Sequence, residues 1–249
     1  MEEDISRAID LLRAARHAVA LTGAGISTPS NIPDFRSQGT GLWRKDDPMQ
    51  VASLSAFRYR PQSFFDWFRP LAKRIWVAEP NPAHRALAQL EKAGRLQAVI
   101  TQNIDGLHQK AGSHSVIELH GSASHLACPA CHQRYPAEDF RVSFLEEGSF
   151  PTCTACGAVL KPDIVLFEEM LPADAWNQAQ NHCEQADVML VVGSSLEVMP
   201  ANSLPLYALQ GGAHLIIANY TPTHLDRYAD VLLPNDVVDT LPKIAAAVQ

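Results

Sequence analysis

At 249 residues with a net charge of −7, the chain can bury a substantial core and is too acidic overall to offer nucleic acid a uniformly basic surface. Its length fits one domain, or a large domain carrying a small insert. The start Met-Glu-Glu-Asp lacks the basic-then-apolar order of a signal peptide, and no apolar run approaches the ~20 residues that span a bilayer, so a cytoplasmic protein without membrane contact is expected.

Residues 4–16 place Ile5, Ile9, Leu11 and Leu12 at helical spacing, with Arg13 and Arg16 near the end. His17 to Thr22 is a short apolar run stopped by Gly23, which predicts a helix followed by a buried strand. Residues 31–48 are rich in Pro, Asp, Gly and Ser and read as a long loop of the kind that usually carries function or moves. Residues 62–77 present Phe64, Phe65, Trp67, Phe68, Leu71, Ile75 and Trp76 as a helical apolar face. Pro82 to Ala93 is a further helix with Pro in its first turn, and Gln97 to Thr101 is a second short strand. The segment 121–160 breaks this pattern with four cysteines and Pro129, Pro136 and Pro151. Beyond it, Asp163–Phe167, Asp187–Val192, His214–Ala218 and Asp230–Leu233 are short apolar strands with helical stretches between several of them. Strands without alternation, spaced by helices, predict a parallel sheet covered on both faces.

The strongest local signal is two Cys-x-x-Cys pairs, Cys128/Cys131 and Cys153/Cys156. Four thiolates suit a tetrahedral zinc with no open coordination position, so the metal is structural and the chemistry lies elsewhere. Disulfides are the alternative, against which the cytoplasmic signs speak. The span between the outer cysteines holds more acids than bases, which weighs against a nucleic-acid-binding ribbon. Cys183 precedes an apolar run and reads as a buried thiol.

Three stretches can carry chemistry. Gly23-Ala24-Gly25 follows a strand, where glycines let backbone approach a pyrophosphate closely. The Gly-x-Gly-x-x-Gly match is incomplete at Thr28, so an ordinary tight turn fits equally well. Asp46 and Asp47 stand at the distance of a ribose-binding acid, but in a loop. Thr101-Gln-Asn-Ile-Asp-Gly106 sits at the carboxyl end of a strand, where ligands bind in parallel sheets. It either supplies donors and acceptors for ribose or an amide, or makes an Asx-type turn before a helix. His120 ends a strand and suits proton transfer near neutral pH, although position alone does not choose it over His108, His114 or His125.

Together these residues resemble the sirtuin family. Gly23-Ala-Gly-Ile-Ser27, Ile32-Pro-Asp-Phe-Arg36, Thr101-Gln-Asn-Ile-Asp-Gly-Leu-His108, Leu119-His-Gly121, the two cysteine pairs, Gly193-Ser-Ser-Leu196 and Ile217-Ala-Asn219 occur in sirtuin order, and the chain looks like a bacterial sirtuin from end to end. The resemblance implies an NAD-dependent protein-lysine deacylase with a Rossmann-like parallel sheet, helices on both faces, and a small zinc-binding domain. The large domain would take residues 1–36, 80–120 and 161–249, and the small one the insertions 37–79 and 121–160. NAD and an acyl-lysine peptide would enter the cleft between them, and nicotinamide, free lysine and O-acyl-ADP-ribose would leave.

Residue by residue, the resemblance makes His120 the base and Asn103, with Gln102, the ribose-holding group. Asp105 and Ile104 would hold the carboxamide. Gly23, Ala24, Gly25, Ser27, Asp34, Phe35 and Arg36 would line the phosphates and the nicotinamide side. Gly193, Ser194, Ser195, Asn219, Tyr220 and, by position only, Val237 would surround the adenosine half. Val165, Phe167, Glu168 and Val198 would line the acyl-lysine tunnel or pair with the peptide.

The chain departs from the family pattern in three places. Asn31 stands where Gly is usual, and Asn tolerates positive φ better than most residues. Glu168 replaces a usual Gly, putting bulk and negative charge beside the peptide groove, from which a preference for basic flanking residues is expected. Phe68 and Leu71 occupy the positions matched to the Tyr-x-x-Arg pair of succinyl- and malonyl-lysine sirtuins, so acetyl or longer apolar acyl groups are expected. Protein mono-ADP-ribosylation, an NAD-dependent oxidoreductase and a zinc-bearing interaction module are the competing readings, and a monomer is expected.

Overall fold

The computed structural model describes residues 2–34, 41–42 and 46–248. The first of its helices and strands are α1 (Glu2–Ala14), β1 (Ala18–Thr22), α2 (Pro48–Val51), α3 (Leu54–Tyr59), α4 (Pro61–Val77), α5 (Pro82–Lys92), β2 (Ala98–Thr101), α6 (Leu107–Lys110) and β3 (Val116–Glu118). Next come β4 (Gly121–Ala127), β5 (Arg134–Pro136), α7 (Arg141–Leu145), β6 (Lys161–Ile164), α8 (Ala173–Gln185) and β7 (Val188–Val192). The chain finishes with α9 (Leu204–Gln210), β8 (His214–Ala218), β9 (Val231–Leu233) and α10 (Val237–Val248).

Six strands form one parallel sheet in the order β3-β2-β1-β7-β8-β9. Every residue of β1, β2 and β7 is buried, and alternate residues feed two different cores. Ala18, Ala20, Val188, Leu190 and Val192 pack against Leu12 of α1, Leu87 of α5 and Ile244 of α10. Val19, Leu21, Met189 and Val191 pack against Ala179 and Cys183 of α8 and Leu204 of α9. This is the doubly wound arrangement, in which strand order runs outward in both directions from β1 and β7. Ligand crevices form at that reversal, outside the carboxyl ends of the strands.

The second layer of structure sits beyond those carboxyl ends. β4, β5 and β6 form a separate antiparallel sheet in the order β5-β4-β6. Above it, α4 buries Phe64, Phe65, Phe68, Leu71 and Ile75 against Phe57, Phe144, Ile164 and Leu166. The apolar run expected as a strand of the parallel sheet at 163–167 is instead β6, which starts at Lys161 and pairs antiparallel with β4. Pro162 lies within it, and an edge strand tolerates a residue without an N–H.

Candidate active site

The floor of the crevice is two interlocked turns, one after β1 and one after β7. The Gly23 N–H donates to Val192 O at 3.1 Å and the Gly25 N–H to Gly193 O at 2.8 Å. A Cβ on Gly25 would lie 2.8 Å from the Cα of Gly193, and one on Gly193, where φ is +59°, would lie 2.3 Å from the backbone N of Ile26. Glycine is therefore required at both positions for the turns to meet at all.

The loop after β2 closes over this floor. Gln102 Nε2 donates to Ser194 Oγ at 3.0 Å. Asn103 Nδ2 donates to Gly23 O and to Ser27 Oγ, both at 3.1 Å. With its amide hydrogens directed at the floor, Asn103 has its carbonyl oxygen for a ligand. Ser27 Oγ donates to Asp105 Oδ2 at 2.7 Å, and Asp105 Oδ1 accepts from the Leu107 N–H at 2.9 Å. Asp105 thus makes the Asx-type turn before α6 and also lines the crevice. Burial pushes the Asp105 carboxyl above the usual carboxylate range, opposed by those hydrogen bonds.

Under the loop lies a buried polar layer. Thr22 Oγ1 donates to Thr101 Oγ1 at 2.8 Å, so it accepts from His108 Nε2, 2.9 Å away. That leaves the Nδ1 of His108 buried without a partner, as is the Nδ1 of His84, whose ring centroid is 4.9 Å from that of His108. Burial pushes His84 down to about 4 and His108 down to about 3, so both rings are neutral. Asn81 ties the start of α5 to the glycine turn, its Nδ2 donating to Ile26 O at 2.7 Å and Ser30 Oγ at 3.0 Å.

His120 stands two residues past the end of β3, its Nδ1 2.8 Å from Gln102 O. A carbonyl oxygen only accepts, so Nδ1 carries the proton and Nε2 bears the lone pair. Burial holds the imidazole below its ordinary value, opposed by that hydrogen bond. His120 O in turn accepts from the Val165 N–H at 2.8 Å, which joins the segment after β6 to this histidine.

These parts enclose a cavity of about 760 Å³. Its walls include Ala24, Ser27, Gln102, Asn103, Ile104, Asp105 and His120 on one side and Val165, Phe167, Glu168 and Val198 on the other. Trp67, Leu71 and Ile75 form a third wall, one face of α4 at four-residue spacing. That spacing was visible in the sequence as part of an apolar helix face, but nothing in it separated cleft wall from core. Of the two acyl-selecting positions matched by counting, Leu71 lines the cavity, whereas Phe68 packs in the core and Trp67 takes the wall. Trp67 and Leu71 are both apolar, as the matched pair Phe68 and Leu71 is.

Other predicted residues lie outside the cavity walls. Gly193 and Ser194 belong to the floor. Asn219 and Tyr220 follow β8 at the same edge of the sheet, and Asn219 Nδ2 donates to Thr221 O at 2.7 Å. Val237 opens α10, and its side chain is buried in the core. The Asp34 carbonyl accepts from the Leu42 N–H at 3.1 Å. Phe35 and Arg36 lie outside the described residues. Asp47 caps α2 through the Met49 N–H. Asn31 adopts φ +64°, the left-handed turn its residue type allows.

At the far end of the small sheet, the Sγ atoms of Cys128, Cys131, Cys153 and Cys156 all lie within 4.8 Å of one another. The Cys128–Cys156 and Cys131–Cys153 pairs are 3.5 and 3.6 Å apart. A disulfide needs about 2.05 Å, whereas a tetrahedron of ~2.3 Å zinc–thiolate bonds has edges near 3.8 Å. The four thiols therefore fit one zinc ion with its coordination filled by protein. Cys183 is apart from them, buried in α8 with its thiol pushed up to about 12 by burial, and it is inert.

Comparison with known proteins places this geometry in a family. The model of the Sir2 family matches residues 23–200. An NAD-dependent protein deacylase 2 from Archaeoglobus fulgidus is 46% identical over 250 residues, covering 100% of this chain and 98% of that protein. An NAD-dependent protein deacetylase 1 from Geobacillus kaustophilus is 46% identical over 222 residues, covering 89% of each. A solved Sir2 structure with a deacetylated p53 peptide and 3′-O-acetyl ADP ribose superposes with a TM-score of 0.92 at 40% identity, covering 97% of each chain.

Proposed function

The chain belongs to the Sir2 family, and from that premise we propose that His120 and the loop 102–105 carry out NAD-dependent removal of acetyl or other apolar acyl groups from protein lysine. It is an NAD-dependent protein-lysine deacylase, and one observation carries the assignment of its parts. His120 with its lone pair on Nε2, Asn103 with its amide hydrogens committed, Asp105, Val165 and Leu71 all line one cavity.

NAD, when bound, supplies an electrophilic ribose carbon and nicotinamide as the leaving group. The chain's own residues do the rest. The interlocked glycine turns offer backbone to the phosphates, joined on the family pattern by Phe35 and Arg36. Gln102 and Asn103 hold the ribose, and Asp105 with Ile104 holds the carboxamide. His120 takes a proton from a ribose hydroxyl at Nε2, because Nδ1–H is committed to Gln102 O. Ser194, Ser195, Asn219 and Tyr220 flank the adenosine half at the carboxyl ends of β7 and β8, joined by Val237 from beyond β9. Val165, Phe167, Glu168 and Val198 form the acyl-lysine side.

None of the described residues lining the cavity is Lys or Arg, whereas Asp105, Glu168 and Glu169 are acidic. Among the described residues an acidic acyl chain meets no counter-charge there, which supports acetyl and longer apolar chains as the substrates. The net charge of −7 and the metal-like use of cysteine support a monomer acting in the cytoplasm without nucleic acid.

The test is incubation of acetyl-lysine and succinyl-lysine versions of one peptide with NAD, followed by mass spectrometry. Nicotinamide and O-acetyl-ADP-ribose should form, and the succinyl peptide should react more slowly. An absorbance change of the nicotinamide ring without its release would move the assignment to hydride transfer. ADP-ribose attached to the peptide would move it to protein ADP-ribosylation.

A further inference from the structure

The segment after β6 is held at both ends. At its start, the Val165 N–H donates to His120 O at 2.8 Å. Between the ends, Lys161 Nζ pairs with Glu169 Oε2 at 2.9 Å, and the same oxygen accepts from the Leu166 N–H at 2.9 Å. At its far end the segment meets α3. The Phe167 N–H donates to Ala52 O at 3.1 Å, and the Leu54 N–H donates to Phe167 O at 3.0 Å. One side chain completes this junction: Glu168 Oε2 accepts from the Ser55 N–H at 2.8 Å.

Glu168 does this from a backbone that is costly for it. Its φ is +74°, a region where a side chain with a Cβ is strained and glycine is not. A strained non-glycine residue in a cleft wall, held by a specific side-chain bond, is the pattern in which strain is tied to a role. The carboxylate also has a partner inside the chain, which the sequence expectation of a basic substrate residue did not include. It is directed to the Ser55 N–H, with Arg58 adding attraction, and both hold it below the usual carboxylate range. One carboxylate oxygen is therefore engaged within the chain.

Resting on the deacylase reading of the cleft, we propose that Glu168 is a positioning residue: a clasp that fastens the substrate-side wall to α3 and keeps the backbone of 165–168 in line for an extended acyl-lysine peptide. Val165, Phe167 and Glu168 all line the cavity, and Val165 is fixed to His120 at the other end. Releasing the clasp lets the wall drift at one end while the chemistry at His120 is untouched. The expected signature is weakened peptide binding with the chemical step and NAD binding retained.

The experiment compares wild type, Glu168→Gly and Glu168→Gln with an acetyl-lysine peptide and NAD. Glycine removes the clasp and also relieves the left-handed strain, so the melting temperature should not fall. Its peptide KM should rise by about tenfold, corresponding to ~1.4 kcal/mol, with kcat and the NAD KM within about twofold. Glutamine keeps an acceptor oxygen for the Ser55 N–H and should recover most of that loss. A panel of peptides with basic, neutral and acidic flanks should show the same order of preference in wild type and Glu168→Gln. Binding of a fluorescent acetyl-lysine peptide, measured without turnover, separates the two readings. If wild type releases no nicotinamide, the deacylase reading fails. If wild type turns over and Glu168→Gly binds peptide as tightly as wild type, the clasp fails. A flank preference for basic residues that disappears in Glu168→Gln also overturns the clasp, because the carboxylate would then be serving the substrate.

Discussion

The chemistry at residue scale turns on which nitrogen of His120 is free. Its Nδ1 lies 2.8 Å from Gln102 O, which fixes the tautomer and leaves the lone pair on Nε2, the atom proposed as the base. Burial lowers the imidazole below 6.5, with the Gln102 contact opposing. The sign follows directly. A base whose proton affinity is reduced keeps its lone pair to lower pH, so the rate should be flat through neutral pH. The acid limb of kcat for acetyl-lysine peptide should have its midpoint below the ordinary value of 6.5. A midpoint at or above that value would contradict the burial argument. His120→Ala should lower kcat by about 10²–10⁴-fold, the usual worth of a positioned general base. Its circular dichroism and melting should remain near wild type, because the side chain makes one hydrogen bond to a loop carbonyl and carries no packing core. A variant that turns over normally would remove His120 from the reaction.

At the scale of elements, the small antiparallel sheet is the part whose integrity depends on a metal. Its own apolar cluster is thin: Leu126, Ala137 and Leu160 with Cys128 and Cys153 among them. Two of the four sulfurs are thus part of the core they stabilise, and ligand loss removes both metal and packing. Cys153→Ser should drop zinc content, measured by inductively coupled plasma mass spectrometry, from about one equivalent to near none. Proteolysis should then open first between β4 and β6, and activity should fall through the loss of β6, which leads into Val165. Cys183→Ser should keep its zinc, since that thiol lies in α8 against the other sheet. Full zinc retention in Cys153→Ser would show that this sulfur is not a ligand. The same sheet marks the limit of what the sequence discloses. Strands β1, β2, β7 and β8 are legible within a residue because a doubly buried strand is an uninterrupted apolar run. Lys161–Ile164 leads into a run of the same kind, and only Pro162 hints at an edge strand, so its partner β4 was not legible. The cysteine quartet was legible through its spacing, and the motif order singled out His120 and Asn103, which line one cavity. Trp67 and Ile75 were not, because cleft wall and core demand the same apolar stripe. The Ser55 bond of Glu168 was not either, since it joins positions 113 residues apart.

For the molecule as a whole, the buried polar layer beneath the active-site loop sets a stability cost on acid. His84 is held down at about 4 and His108 at about 3, chiefly by burial, with Arg85 adding for the first and His84 for the second. Unfolded, both rings titrate near the ordinary 6.5. Between those values the unfolded chain binds protons that the folded chain refuses, so stability rises with pH across the window and is lost as pH falls. Each such ring contributes a slope of about 1.4 kcal/mol per pH unit once pH is well below its unfolded value. His120 and His182 are also lowered and act in the same direction. Asp105 and Glu118 are raised by burial and oppose them, because their protonated forms suit the fold. Their opposition runs upward from their unfolded values near 3.8 and 4.5 and sets two raised carboxyls against four lowered imidazoles, so the net slope keeps the histidines' sign. The urea midpoint should therefore be level above pH 7 and decline continuously from about pH 6 to pH 5. His108→Gln should shallow that decline even though it lowers the midpoint at pH 7 by disturbing the Thr22 contact. A midpoint flat between pH 7 and pH 5 in wild type would mean that these rings accept protons within the fold, and with them a different hydrogen-bond pattern from Thr22 to Thr101.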